Sequence, residues 1–400
     1  MKQIIKIILS TVVSFSIAAQ AFAWDFSASG SSTATYTRET KNSGLYEAKD
    51  DVNNAFTSTA GGVTASVSNS DRYANSVTFS YTADWNGDAG NFDEYVKISA
   101  TKKVGNWTAS SSTTQHMQKD VYPTTSSSSP NQMHPMQANN SAAFTLTDGS
   151  VTYKLGDSTH LSTAEKTVNG PMSGNIDAEA RVDSFNGFSV GFSVGPGTLT
   201  VALDESNGTA TTALGETDSL TVACGANSTG FGVNFAGDVG VDLSFTYGMG
   251  SASADPITCT DNNSSDSANS NTMGLGIGIP FGDMLLAMDL EYTGWDSKVE
   301  ITETKDTIGG FEVSFTMPVG DATAGVNLSS QEKKTHSGGV DTAKTSTSGT
   351  EAWYTVPIGP VGLSIGYGVS GVTKGCSTCS VGTEVTSTTS QLGAEMTMSF

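Results

Sequence analysis

Arginine is scarce in this chain of 400 residues, in which only Arg38, Arg72 and Arg181 occur. Lysine and arginine together number 19 against 40 acidic residues, so the formal net charge is −21. Binding to nucleic acid requires clustered cations that neutralise phosphates, and this composition argues against it. Only 36% of residues are hydrophobic, against roughly 45–50% in globular chains, which disfavours a large conventional core.

Long apolar runs are missing after residue 23. Before it, Lys2 and Lys6 flank an apolar stretch over 7–19, and Ala21-Phe22-Ala23 is a small-x-small cleavage site. We therefore expect residues 1–23 to be a signal peptide cleaved near Ala23, with an N-terminal membrane anchor as the alternative. The rest of the chain has no stretch of about 18 apolar residues, so it is either soluble outside the cytoplasm or crosses a membrane as a barrel.

Apolar and small or polar residues alternate along much of the chain. Over 188–194, phenylalanine and valine alternate with serine and glycine. The same period of two recurs at 241–249, 284–292, 311–317, 361–367 and 392–400. A soluble sandwich also alternates, but a second face of small, polar and acidic residues fits a watery lumen, with the apolar face against lipid.

Short and long connections also alternate. Tight turns are predicted at 195–197, 237–238, 281–283, 319–321 and 358–360, and long polar links at 205–226, 250–271, 295–307, 332–346 and 371–385. Outer-membrane barrels have short periplasmic turns and long external loops. Weaker strands are predicted near 25–37, 58–69, 74–84, 92–101 and 105–114, with a hairpin at 140–156. The sequence thus predicts an all-β fold, a transmembrane antiparallel β-barrel of 16–18 strands over 24–400.

Three segments resemble Gram-negative general porins. Residues 392–400 form a strand ending in the aromatic Phe400, similar to the signal read by the barrel-assembly machinery. Residues 181–203 and the hairpin at 144–156 resemble the porin strands on either side of the constriction loop. The resemblance implies an outer-membrane homotrimer surrounded by outer-membrane lipid, whose water-filled channel passes ions and small hydrophilic solutes by passive diffusion.

In porins one long loop folds into the barrel and narrows the pore, and the resemblance makes 157–182 that loop. Its charged candidates are Asp157, Glu165, Asp177, Glu179 and Arg181. A direct strand count instead makes 115–139 the third external loop, which is the alternative. The arginine cluster that porins usually place opposite this loop is missing here, so a strong transverse field is not expected.

The side-chain period of two predicts which charges face the lumen. The acidic candidates are Asp204, Asp242, Asp289, Glu291, Glu312 and Glu395, and the basic ones are Lys97 and Lys154. A passage lined by one sign of charge concentrates counterions, so we expect a preference for cations. The alternative is that these acids pair with lysines or lie at the rim, which leaves weak selectivity.

Aromatic residues near strand ends predict interfacial girdles, with ordinary β-propensity as the alternative. The set is Tyr36, Tyr81, Trp107, Tyr153, Tyr247, Tyr292, Trp353 and Tyr367. If Trp295 and Trp353 faced the lumen, they would suit a channel specific for a sugar or organic solute. The remaining alternative is a surface β protein without a pore, such as an adhesin or layer protein, whose apolar faces pack together.

Enzymatic activity is not expected. Gly-x-Ser-x-Gly occurs at 187–191, 191–195 and 362–366, but each copy lies within an alternating strand rather than at the strand-to-helix turn that hydrolases use. His116, His134, His160 and His336 lie in or near predicted loops without metal-ligand spacing, and no cofactor or metal is expected.

Four cysteines remain to be placed. Cys376 and Cys379 lie in one predicted external loop, and their spacing permits a local disulfide. Cys224 and Cys259 lie in loops flanking one hairpin, so they are candidates for a second bridge. Export to an oxidising compartment supports both pairings.

Overall fold

A computed structural model describes residues 24–42, 51–70, 75–86, 91–116, 141–162, 164–170, 185–208, 226–254, 267–299, 302–337, 340–375 and 385–399. They form eighteen β-strands. The strands are β1 (Trp24–Asn42), β2 (Asp51–Ser70), β3 (Ser76–Asn86), β4 (Asn91–Val104), β5 (Trp107–His116), β6 (Ser141–Thr147), β7 (Val151–Ser158), β8 (Phe185–Val194), β9 (Gly197–Gly208), β10 (Ala226–Asp238), β11 (Asp242–Ala254), β12 (Ser267–Phe281), β13 (Met284–Val299), β14 (Thr302–Val319), β15 (Ala322–Ser337), β16 (Val340–Ile358), β17 (Val361–Gly375) and β18 (Val385–Ser399).

The strands pair in chain order. Antiparallel ladders join neighbours such as β9 with β10 and β13 with β14, and β1 pairs with both β2 and β18. The sheet therefore closes on itself, and the predicted antiparallel β-barrel is confirmed, at the upper end of the predicted strand number. No helix in the described part of the chain is long and apolar enough to cross a membrane.

The chain divides into two compact units. Among the described residues, the first unit contains β3 to β6 and the second contains β7 to β17. Residues 159–170 without 163, and every strand that they contact, lie in the second unit.

In the sheet of the second unit, the exposed face is apolar and the buried face is polar, which is the reverse of a soluble protein. Its large apolar side chains are exposed, with Leu203 at 53% and Leu328 at 51%. Polar residues on the other face are buried, and Thr246 and Asn327 are both 0% exposed. An apolar surface of this extent suits lipid rather than water. The alternative in which the apolar faces pack against each other does not fit this exposure.

Glycines at positive φ close the short connections. Gly195, Gly282, Gly320 and Gly359 have φ between 57° and 65° and stand first in two-residue turns. Type II′ hairpin turns need glycine there because a side chain is strained at positive φ. Four of the predicted tight turns are found at their expected places. The fifth is shifted, since β10 continues through the predicted turn at 237–238 and the chain reverses around Gly240.

Two predicted long links are wrong. The segments 295–307 and 332–346 are mostly strand, since β13 continues to Val299, β14 begins at Thr302, β15 continues to Ser337 and β16 begins at Val340. Their polar composition suggested loops, yet backbone pairing does not require apolar side chains. Polar residues are free to extend a ladder beyond the part of the strand that faces lipid.

Candidate functional site

Residues 159–170, without residue 163, form a segment without regular structure that lies along the polar face of the second unit. We call it the inner segment, and we call the polar face that it contacts the inner face. It follows β7 and contacts β8, β10, β11, β12, β13, β14, β15 and β16 in that order. Backbone groups of the segment meet side chains of the strands at most of these contacts.

The first contacts involve His160 and Ser162. His160 Nε2 lies 2.8 Å from the carbonyl oxygen of Gly156, and Nδ1 lies 2.9 Å from Ser189 Oγ on β8. Because a carbonyl oxygen only accepts, Nε2 carries a proton and donates it to Gly156, whereas Nδ1 shares its hydrogen bond with a serine hydroxyl that can either donate or accept. The carbonyl oxygen of Ser162 then accepts hydrogen bonds from Asn234 Nδ2 at 3.1 Å and Thr246 Oγ1 at 2.7 Å.

The centre of the inner segment is held by Asp289 on β13. Its carboxylate accepts hydrogen bonds from the backbone N–H of Lys166 at 2.9 Å, from the backbone N–H of Thr167 at 2.7 Å and from Thr167 Oγ1 at 2.5 Å. The side chain of Lys166 also forms an ion pair of 2.8 Å with Asp242 on β11. Hydrogen bonds to a charged acceptor are stronger than neutral ones, so Asp289 is the main anchor.

Close backbone approach adds to this anchor. Gly276 on β12 lies directly beneath the segment, and a Cβ atom there would be 1.8 Å from the carbonyl oxygen of Ala164. Ala164 is buried, whereas the neighbouring Glu165 is exposed. The segment therefore turns its backbone to the strands and the Glu165 side chain away from them.

The last contacts reach β14 to β16. The backbone N–H of Val168 donates to Ser314 Oγ at 2.9 Å, and that of Gly170 donates to Glu351 Oε2 at 3.2 Å. Asn327 donates to Asn169 Oδ1 at 2.7 Å and to the carboxylate of Glu312. Ser314, Asn327 and Glu351 are all buried, and each forms a hydrogen bond with a backbone or side-chain group of the segment.

The predicted constriction loop is thus described in part. Asp157 is half-buried at the end of β7, and Glu165 is exposed on the inner segment. Asp177, Glu179 and Arg181 lie outside the described residues, as does almost all of the alternative loop 115–139.

The predicted lumen acids fall into two groups. Four are buried, namely Asp204, Asp289, Glu291 and Glu312. Asp242 is exposed and paired with Lys166, and Glu395 is half-buried 3.5 Å from Thr35 Oγ1. Period-two reasoning alone could not distinguish an acid that faces water from one that holds a polypeptide segment.

The two predicted lumen lysines also differ in their surroundings. Lys97 is exposed on β4. Lys154 on β7 is half-buried and donates to the carbonyl oxygen of Thr159 at 3.2 Å. Lys154 thereby contacts the first residue of the inner segment.

Sequence reasoning missed several residues that contact the segment, above all Glu351, Asn234, Asn327 and Ser314. Each stands at a polar position of an alternating strand. The alternation therefore places these residues on the polar face, but it does not distinguish them from polar residues that make no contact with the segment. Within the described residues, no group of three His, Cys, Asp or Glu side chains is placed to share a metal ion.

The two tryptophans of the inner face present little surface to a solute. Trp353 is buried, and its ring covers Gly325, where a Cβ atom would be 2.2 Å from Trp353 Cζ2. Trp295 is buried with Lys333 Nζ 5.1 Å from its ring centroid. Trp353 therefore does not belong to an outer aromatic girdle, and neither ring has the exposure that a sugar-binding track needs.

One Gly-x-Ser-x-Gly copy does have a histidine partner, which the sequence did not reveal. Ser189 contacts His160, but the two residues are only 1% and 3% exposed. A nucleophilic serine must be reachable by its substrate. We conclude that the pair positions the start of the inner segment.

The four cysteines and Phe400 lie outside the described residues, so both disulfide pairings and the terminal assembly signal stay predictions. The remaining aromatics predicted for the girdle include Tyr36, Tyr153, Tyr292 and Tyr367, which are exposed on the apolar face.

No protein-family model matches the chain, and no curated protein matches it in sequence. Its structure is similar to the outer membrane channel DcaP of Acinetobacter baumannii, with a TM-score of 0.51, 10% identity and coverage of 94% of this chain and 97% of that one. An anion-selective porin from Comamonas acidovorans has a TM-score of 0.46 at 12% identity, covering 94% and 100%. The in-vitro folded trimer form of Vibrio cholerae OmpT has a TM-score of 0.46 at 10% identity, and the alignment covers 94% of this chain and 99% of that one. At such identities the similarity concerns the fold, which is that of a porin-like outer-membrane channel.

Proposed function

We propose that the chain is an outer-membrane porin whose water-filled channel passes ions and small hydrophilic solutes by passive diffusion, after cleavage of the signal peptide near Ala23. The observation that carries this proposal is the closed sheet with exposed apolar residues on one face and polar residues on the other. The inner segment supports it further, because a piece of irregular chain fixed along the polar face narrows any passage there. The inner segment is thus the constriction element in this proposal.

The proposal includes a preference for cations. Cleavage after Ala23 changes the formal net charge from −21 to −23, since Lys2 and Lys6 are removed. Glu165 is exposed on the inner segment and points away from the strands. Because four of the six predicted lumen acids are buried, we assign the main role in selectivity to Glu165 rather than to those acids.

Replacing Glu165 with lysine should lower the permeability of K⁺ relative to Cl⁻ severalfold. A unit charge at roughly 4 Å in water contributes about 1 kcal/mol, and the substitution changes two units. The measurement is the reversal potential of single channels in planar bilayers under a KCl gradient. The matched control is Glu303→Lys, because Glu303 is exposed on β14 with the same parity as the outward Phe311.

Three outcomes are informative. Cation-preferring steps that shift only in the Glu165 variant support the whole proposal. An unchanged reversal potential in that variant removes the role of Glu165 and keeps the channel. No conductance steps from folded protein in the bilayer would contradict the porin assignment itself.

We further propose that copies of the chain meet on the outer face of β5, as in a homotrimer. Apart from Trp107 at its start, the outward residues along the middle of this strand are small or hydroxylated: Ser111 lies opposite the exposed Phe144, and Thr113 lies opposite the exposed Ile98. Such residues suit a protein contact better than lipid, which favours an apolar band.

Ser111→Arg is expected to shift the assembly to monomers, since a buried unpaired charge at an interface costs several kcal/mol. The mass of detergent-solubilised protein measures this. Ser330→Arg is the control, because Ser330 lies on the outer face of β15 opposite the exposed Phe311. Equal masses for the two variants would contradict this choice of interface.

A further inference from the structure

A pocket of about 460 Å³ opens on the apolar, outward face of the second unit, over β9 to β14. Its volume falls in the range of small-molecule sites, roughly 300–1,000 Å³. It is separate from the inner segment, which lies on the opposite face of the same strands. None of the function proposed above uses it.

The pocket lies where the outward face changes from apolar to polar. Leu203, Phe231 and Met249 stand side by side in the ladder and form its apolar edge. Two residues further along each strand, toward the long link after β11, the next row contains Ser251 and Asn269. A ligand here would contact hydrocarbon-like surface on one side and hydrogen-bonding groups on the other.

Gly294 on β13 creates the depression between these rows. A Cβ atom there would lie 2.8 Å from Asn271 Oδ1 and 3.3 Å from Tyr292 Oη. The amide of Asn271 and the hydroxyl of Tyr292 therefore converge on space that only a glycine leaves open. Both side chains can donate and accept hydrogen bonds, and both line the pocket.

The charges at the polar edge balance each other. Lys305 Nζ lies 3.5 Å from Asp296 Oδ1, and both side chains are about half exposed. A phosphate would gain little from a lysine that already has an acidic partner. Neutral hydroxyl groups match the converging amide and phenol better, and the rings of Tyr247 and Tyr292 offer the amphipathic surface that suits a membrane interface.

We propose that this pocket binds the sugar headgroup of a membrane glycolipid. The hydroxyls of the sugar take the hydrogen bonds of Asn271 and Tyr292. The acyl chains run over Leu203, Phe231 and Met249 toward the apolar band. The pocket lies at the boundary between the apolar row and the polar row, which favours a lipid over a free sugar. A free sugar would leave the apolar edge uncovered.

The test is competition between two lipids with identical acyl chains, a diglucosyl diacylglycerol and phosphatidylglycerol, presented together to the full chain in detergent. Native mass spectrometry counts the lipid that each protein retains. The unmodified chain should retain the glycolipid in about tenfold preference, the effect of two neutral hydrogen bonds. Asn271→Ala combined with Tyr292→Phe should abolish the preference, and Gly294→Ala, which fills the depression, should weaken it.

The control is Tyr354→Phe, which removes an outward hydroxyl of similar exposure from a strand outside the pocket. It should keep the preference. Heat-modifiable migration on gels shows that every variant is folded. Equal retention of the two lipids, preference for phosphatidylglycerol, or a preference that survives the double variant would each overturn the proposal. So would a change in assembly mass on the double variant, which would show that a second copy covers this face.

Discussion

Asp289→Ala should release the inner segment and raise the single-channel conductance. The substitution leaves two backbone N–H groups and the Thr167 hydroxyl without their acceptor. Hydrogen bonds to a charged group contribute about 1.5–3 kcal/mol each, so a loss of at least about 2 kcal/mol is expected. The barrel itself should persist, since the backbone pairing of β13 does not involve this carboxylate.

Trypsin cleavage after Lys166 measures the release directly. Proteolysis of a transiently opened segment follows its equilibrium population when opening is fast. A loss of about 2 kcal/mol therefore predicts roughly thirtyfold faster cleavage. Asp289→Asn keeps one acceptor oxygen and should have a smaller effect.

Asp283→Ala is the control for Asp289→Ala, because Asp283 is exposed in the turn between β12 and β13. It should behave as the unmodified chain. Unchanged conductance and unchanged cleavage at Lys166 in Asp289→Ala would show that the carboxylate is not the anchor.

Gly276→Ala is the second substitution with a large expected effect. The added methyl group would lie 1.8 Å from the carbonyl oxygen of Ala164, so the segment has to move away from β12. Overpacking of this kind costs about 1–3 kcal/mol. We expect higher conductance and faster cleavage after Lys166, in the same direction as Asp289→Ala.

Gly278→Ala provides a matched control on the same strand and the same face. A Cβ atom at Gly278 meets no atom closer than 3.5 Å, so this variant should conduct normally. If Gly276→Ala and Gly278→Ala behaved alike, the close approach of Ala164 to β12 would be absent in the membrane. Gly276→Ala could also lower the yield of folded protein. Unheated gels measure the folded fraction of each variant, and they therefore distinguish a folding defect from release of the segment.

Local chemistry made most of the fold predictable. Alternation at 188–194 follows from the side-chain period of a strand, and turns such as that at Gly282 follow from the conformational freedom of glycine. Where the prediction was wrong, at 295–307 and 332–346, polar composition was taken for a loop. Backbone hydrogen bonds hold these strand ends together regardless of side-chain polarity.

The sequence by itself determined the closed antiparallel barrel, the polarity of its two faces and the position of a long insertion after β7, because each depends on patterns within a few residues. Only the tertiary structure decided what the polar face does. Asp289 and Glu351 share the parity of lumen residues, yet they are buried against a segment more than a hundred residues earlier in the chain. These contacts depend on the distance in three dimensions between a strand side chain and a remote segment of the chain. Alternation along a strand carries no information about that distance.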